Sequence, residues 1–177
     1  MQDLTSAFVV ALELIVSLDP DLVEILILSL QVSLTAVAIA ALIGVPLGAL
    51  LAVGRFPGRG ALTITVNALM GLPPVVVGLT VYLLLSRAGP FGVLDLLYTP
   101  TAMIIAQTVL VAPIIAALTR QVIADLNHEY DEQLRVFGVT RLGAARTLIW
   151  DARFSLLTAL LAGFGRAIAE VGAVLIV

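Results

Sequence analysis

The chain has 177 residues, of which 61% are hydrophobic and 12% charged, with a formal net charge of −3. Soluble domains sit nearer half apolar and a quarter charged, so this composition excludes an ordinary water-soluble globule and makes a bilayer the solvent. Cysteine is absent, which excludes disulfides, thiolate chemistry and thiolate metal sites, and the acidic balance offers nucleic acid no binding face.

Residues 1–24 form the first unit. Ala7–Leu18 is apolar but interrupted by Glu13, and no basic stretch precedes it as in a signal peptide. It is too short to span and is expected to be a helix lying at the membrane interface. Residues 25–177 follow as a transmembrane domain, with apolar runs at about 25–54, 60–86, 96–120 and 154–177. About 20 residues of helix cross the ~30 Å hydrocarbon core, and backbone groups in lipid must be paired internally. The expected fold is therefore an all-α, polytopic helical bundle. Arg55 and Arg59 separate the first two runs, and Arg120, Arg135, Arg141, Arg146 and Arg153 border or occupy the loop after the third. By the positive-inside rule these loops are cytoplasmic and the N-terminus is outside, in a multi-pass protein of a cell membrane. The last run is still apolar at Val177 with no closing polar flank, so a further C-terminal portion is expected.

Several spans carry helix breakers. The first has Gly44-Val45-Pro46-Leu47-Gly48, the second Gly71-Leu72-Pro73-Pro74, the third Pro113. Proline removes a backbone donor, and Pro74 pushes Pro73 out of the helical region, so the second span is expected to be discontinuous there. A broken helix can line a transport pathway, and a kink can equally serve packing. In the fourth span Arg166 and Glu170 share a helix face at i, i+4. Arg166 lies about 20 Å beyond Arg153, deep in the membrane, where an unpaired charge costs ~2.5–3.5 kcal/mol. The two either attract and orient an anion or hold helices together as an ion pair, and their spacing favours the pair. Gly163, Gly165 and Gly172 would let another helix approach closely.

The polar stretch 125–153 lies between long apolar runs. Asp131–Phe137 reads as a short helix ended by Gly138 in the left-handed conformation, and Thr140 as the N-cap of a second helix, Arg141–Trp150. Leu134, Phe137, Val139, Leu142 and Trp150 are its expected apolar contacts. Two short helices around a glycine suit a docking element better than a solvated linker. His128 is read as a surface residue, since one histidine cannot make a metal site.

These residues resemble the permease subunits of ABC importers. That family carries a cytoplasmic loop with a Glu and, six residues later, a Gly, matched here by Glu132-Gln133-Leu134-Arg135-Val136-Phe137-Gly138. Gln133 and Leu134 replace the family's two alanines, and Asp151 stands where its proline would be. Met70–Leu79, Ser86–Gly92 and Gly165–Ala173 resemble the oxyanion branch, tungstate permeases above all, with molybdate and sulfate permeases sharing the pattern. The resemblance implies a type I importer fold in which two copies form the pore and each cytoplasmic loop docks as a coupling helix on an ATP-binding subunit. It also implies that an extracytoplasmic substrate-binding protein delivers the anion. The expected coupling residues are Glu132, Gly138, Arg141, Leu142, Gly143 and Ala144, the last four as direct ATPase contacts. The expected pathway residues are Leu72, Pro73, Pro74, Val75, Arg166 and Glu170. The chain has no Gly-x-x-x-x-Gly-Lys-Ser/Thr pattern and no lysine, so no catalytic residue and no cofactor is expected in it, ATP and Mg²⁺ belonging to the partner. A channel or ion-coupled secondary transporter using Arg166 and Glu170 is the competing reading. An intramembrane enzyme lacks its catalytic pairing, because the only histidine is in the polar loop.

Overall fold

The computed structural model describes Ser17 and residues 19–170, and among these all regular structure is helical. The expected interfacial helix over Ala7–Leu18 and the far end of the fourth apolar run fall outside the described residues. The helices in chain order are α1 (Pro20–Val53), α2 (Arg59–Leu69), α3 (Pro74–Leu85), α4 (Pro100–Val136), α5 (Arg141–Asp151) and α6 (Arg153–Ala169), with a 3₁₀ turn at Gly92–Leu94. α1 starts where Asp19 Oδ1 accepts the amides of Asp21 and Leu22, and Pro20 takes the first position, which needs no donor. α4 starts the same way, with Thr99 capping the Ala102 amide and Pro100 at the first position.

α1, with 34 residues, and α4, with 37, are each long and apolar enough to cross a membrane, and they form the largest helix–helix interface. The helix breakers at 44–48 do not interrupt α1, which runs on through Pro46. The glycines there serve packing. Ala36, Ala40, Gly44, Gly48 and Ala52 recur every fourth residue, are all buried, and form one stripe of small side chains. A Cβ on Gly48 would stand 2.5 Å from the Ala116 carbonyl oxygen and 2.7 Å from Thr119 Cβ, and one on Gly44 3.0 Å from the Ala112 carbonyl oxygen. Further along, Thr108 Oγ1 donates to the Ala36 carbonyl, and Ala52 shares a core cluster with Ile123. Contacts advance together along both helices, so α1 and α4 run parallel.

Two parallel spanning helices require the chain between them to cross back. α2 and α3 do this jointly. α2 places Val66 against Leu51, Ala116 and Ala117, and α3 places Val77, Val81 and Leu85 against Ala102, Ala106 and Leu110. α3 thus packs along the first turns of α4 and α2 nearer its middle. The pair is bent by 103° at the Met70–Pro73 connection, where Pro73 is extended at φ −65°, ψ 132°. The second span is therefore discontinuous, for the reason the diproline sequence gives. α6 returns from the α5 end and buries Ala167 among Val37, Ala40, Val111 and Ile115.

One boundary differs from the sequence reading. Asp131–Phe137 is not a separate short helix but the last two turns of α4, which continues without interruption from the apolar run into the polar stretch. No helix-breaking residue lies between Pro113 and Gly138, so nothing stops the helix as it leaves the bundle.

Candidate translocation and coupling sites

The first site is the polar end of α4 with α5. The helix stops where Gly138 adopts φ +62°, and the amides of Gly138 and Val139 bond back to the Arg135 and Leu134 carbonyls. Thr140 then caps α5, its Oγ1 accepting the Gly143 amide at 3.2 Å. α5 buries Ala144 and Leu148, and Leu148 with Ala152 packs on Ala52 of α1 and Ile123 of α4. The element is thus held by its inner face. Its outer side exposes apolar side chains, with Phe137 80% and Leu142 83% exposed and Val136 and Trp150 likewise outward, among the exposed Arg141 and Arg146.

This geometry corrects two expectations. Of the apolar residues expected to pack the turn, Leu134 joins the core, whereas Phe137, Leu142 and Trp150 point outward. Ala144, expected to touch an ATPase, is only 5% exposed because it lies on the α5 face that packs against the bundle. Arg141 and Leu142 are exposed beside it, Gly143 is half-buried, and Glu132 is exposed on the final turn of α4. Arg135 forms an i, i+4 ion pair with Asp131 at 2.7 Å. Tyr130, in the polar extension of α4, is held above its ordinary phenol pKa first by the charge of Asp151, across the turn on α5, and then by that of Glu129.

The second site lies inside the bundle. Leu72 packs with the α3–α4 core, Pro74 is half-buried, and Pro73 and Val75 are exposed at the break. Arg166 Nη2 and Glu170 Oε1 are 3.5 Å apart, with side chains 36% and 25% exposed, so they pair along α6 as their spacing suggests. Met70 and Leu72, on either side of the break, pack against the Leu51–Val66–Ala116–Ala117 cluster and the α3–α4 cluster respectively, and Ala167 packs against Val111 and Ile115.

The structure adds a residue that the sequence reading missed. Gln107 of α4 is fully buried, and its Nε2 donates to the Ala167 carbonyl at 3.5 Å. That carbonyl lies in the last turn of α6, where helix carbonyls lack intrahelical partners. The Gln107 Oε1 and the Arg166 Nε are both buried without a protein partner. An uncharged Gln inside an apolar run was the available signal, since a buried amide needs a partner.

An α-helical bundle with two parallel helices long and apolar enough to span and a broken return between them is the architecture of a polytopic membrane protein. The chain belongs to the family of binding-protein-dependent transport system inner membrane components, whose model matches residues 44–177. It is 40% identical over its whole length to a tungstate uptake system permease protein of Peptoclostridium acidaminophilum, covering 78% of that protein. It is 41% identical over 156 residues to a probable anion ABC transporter permease protein of Haloferax volcanii, covering 88% of this chain and 67% of that one. A tungstate uptake system permease protein of Campylobacter jejuni matches 70% of the chain and 52% of its own length at 33% identity.

Proposed function

We propose that the chain is the membrane-spanning subunit of an ATP-driven importer that takes up tungstate or a closely related tetrahedral oxyanion. The observation that carries the mechanism is the docking element. A rigid helical extension of α4, a glycine-determined turn and a capped α5 present Phe137 and Leu142 to the outside while their inner face is bolted to α1 and α4. Exposed apolar side chains on a packed scaffold suit a protein partner. In this reading the partner is an ATP-binding subunit, with Arg141 and Leu142 in direct contact and Glu132, Gly138 and Gly143 shaping the turn. ATP and Mg²⁺ bind and react there, and this chain contributes no catalytic group.

The substrate class is supported by the relatives. The Arg166 guanidinium is chemically suited to it, because it can donate two parallel hydrogen bonds to an oxyanion. Leu72, Pro73, Pro74 and Val75 would border the path where the helix is interrupted, and Glu170 would keep Arg166 compensated when the path is empty. Two copies of the chain would enclose the path, the N-terminal side would face outward, and a binding protein would deliver the anion there. Sulfate and molybdate are tetrahedral dianions too, so the delivering protein is assigned most of the discrimination.

The test is uptake into vesicles holding the permease, its ATPase and its binding protein. ATP-dependent tungstate uptake that excess sulfate competes only weakly is the expected result. Uptake driven by an ion gradient without ATP would replace this reading with a secondary transporter.

A further inference from the structure

A cleft of about 470 Å³ opens at the arginine-bearing end of the bundle. Arg55 enters it from the segment after α1, Arg59 from the first position of α2, Asn127, Asp131 and Arg135 from α4, and Arg141 from the first position of α5. Four guanidiniums thus meet a single carboxylate. Two of them are fixed in place. Arg59 donates from Nε to the Leu51 carbonyl at 2.7 Å and from Nη2 to the Ala52 carbonyl at 3.0 Å, and Arg135 is held by Asp131. Arg55 and Arg141 have no hydrogen bond or ion pair among the described residues. Arg141 also stands in the first turn of α5, where the helix dipole disfavours a cation. This concentration of like charge is unfavourable when the cleft is empty and becomes favourable when an anion fills it.

We infer that this cleft binds a tetrahedral oxyanion, supplied either by the phosphate of an anionic lipid headgroup or by a free oxyanion in solution. The volume accommodates a phosphate-sized group, the pinned Arg59 and Arg135 set its position, and Arg55 and Arg141 close on it. Basic clefts between helices at a membrane surface take anionic headgroups by this chemistry. The site does not depend on what the bundle transports.

The experiment uses the intact permease in neutral detergent. One arm measures retention of phosphatidylglycerol against phosphatidylcholine by native mass spectrometry, and the other titrates tungstate and inorganic phosphate without lipid. Arg55→Gln touches no structural contact and should weaken the bound anion about five-fold. Asn127→Asp, which adds a carboxylate to the cleft without altering an arginine, should act in the same direction. Arg87→Gln, outside the cleft, should change nothing. Preferential phosphatidylglycerol retention that follows this pattern assigns the cleft to lipid. Saturable oxyanion binding that follows it assigns the cleft to a free anion. Oxyanion binding lost in Arg166→Ala but unchanged in Arg55→Gln belongs to the bundle interior and overturns the inference while leaving the importer reading intact. Equal retention of both lipids together with no oxyanion binding overturns it as well.

Discussion

Gly138 and Gly48 are both glycines that resist replacement, for opposite reasons. At Gly138 there is open space where a Cβ would stand, and the constraint is φ +62°. Gly138→Ala should cost about 1–2 kcal/mol at the turn and lower ATP-coupled uptake without affecting membrane insertion. Gly138→Pro, whose ring demands a negative φ, should abolish coupled uptake while the protein still reaches the membrane. At Gly48 the backbone is ordinary and the space is occupied, since the contacted Ala116 oxygen and Arg120 nitrogen are backbone atoms that cannot rotate away. Gly48→Ala should therefore separate α1 from α4 and cost about 1–3 kcal/mol, read as a lower unfolding temperature in detergent. The Arg166–Glu170 pair yields a third outcome. Arg166→Glu or Glu170→Arg alone leaves two like charges at i, i+4 within the membrane and should reduce folded yield, whereas both together restore a pair and the yield. Recovery of yield without recovery of uptake would mark Arg166 as a pathway residue.

The helices divide the work between rigidity and contact. α4 is the axis. It packs along α1, receives α3 on its first turns and α2 nearer its middle, buries Gln107 against α6, and continues outward as the lever that carries Gly138 and α5. α4 runs as one helix from the level of Ala167 to the docking face, and Pro113, which has no N–H to donate, removes one backbone hydrogen bond on the way. The outer face of that lever is separable from its stability. Phe137→Ala and Leu142→Ala remove side chains that touch little of this chain, so the unfolding midpoint should hold within about 0.5 kcal/mol. Co-purification of the ATPase subunit should nevertheless fall sharply. A large loss of stability in these variants would mean that the face is packed within the permease.

The parallel course of α1 and α4 fixes the topology of the whole molecule, with the loop after α3 at one end and the α4–α5 turn at the other. The lack of cysteine makes this measurable without a background to remove. Val93 is 96% exposed in the first of these loops and Val136 is exposed beside the second. In cells, a membrane-impermeant thiol reagent should label Val93→Cys directly, and Val136→Cys only after permeabilisation. Arg153 supports the same boundary. Its guanidinium lies 4.7 Å from the Phe154 ring and 5.3 Å from the Trp150 ring, an amphipathic cluster suited to a headgroup layer.

Much of this was legible in the residues. Apolar run length marked α1 and α4 as helices long enough to span, Pro73-Pro74 marked the broken return, Gly138 and Thr140 marked the turn and cap, and i, i+4 spacing paired Arg166 with Glu170. These are local effects, set by backbone dihedrals and helical periodicity within a few residues. Other features depended on what each residue met across the bundle. Gly44 and Gly48 read as breakers, and only the approach of α4 shows them as part of a small-residue stripe. Ala144 read as a contact residue until α5 was seen to turn it inward. Gln107 was silent until the end of α6 arrived beside it. The arginines at 55, 59, 135 and 141 are scattered along the chain and become one cleft only when α1, α2, α4 and α5 meet. Local sequence dictates where a helix starts, breaks and stops, because those terms act on the backbone itself. Which face is buried, and which charges share a cavity, follows from contacts between distant segments that only the packed structure brings together.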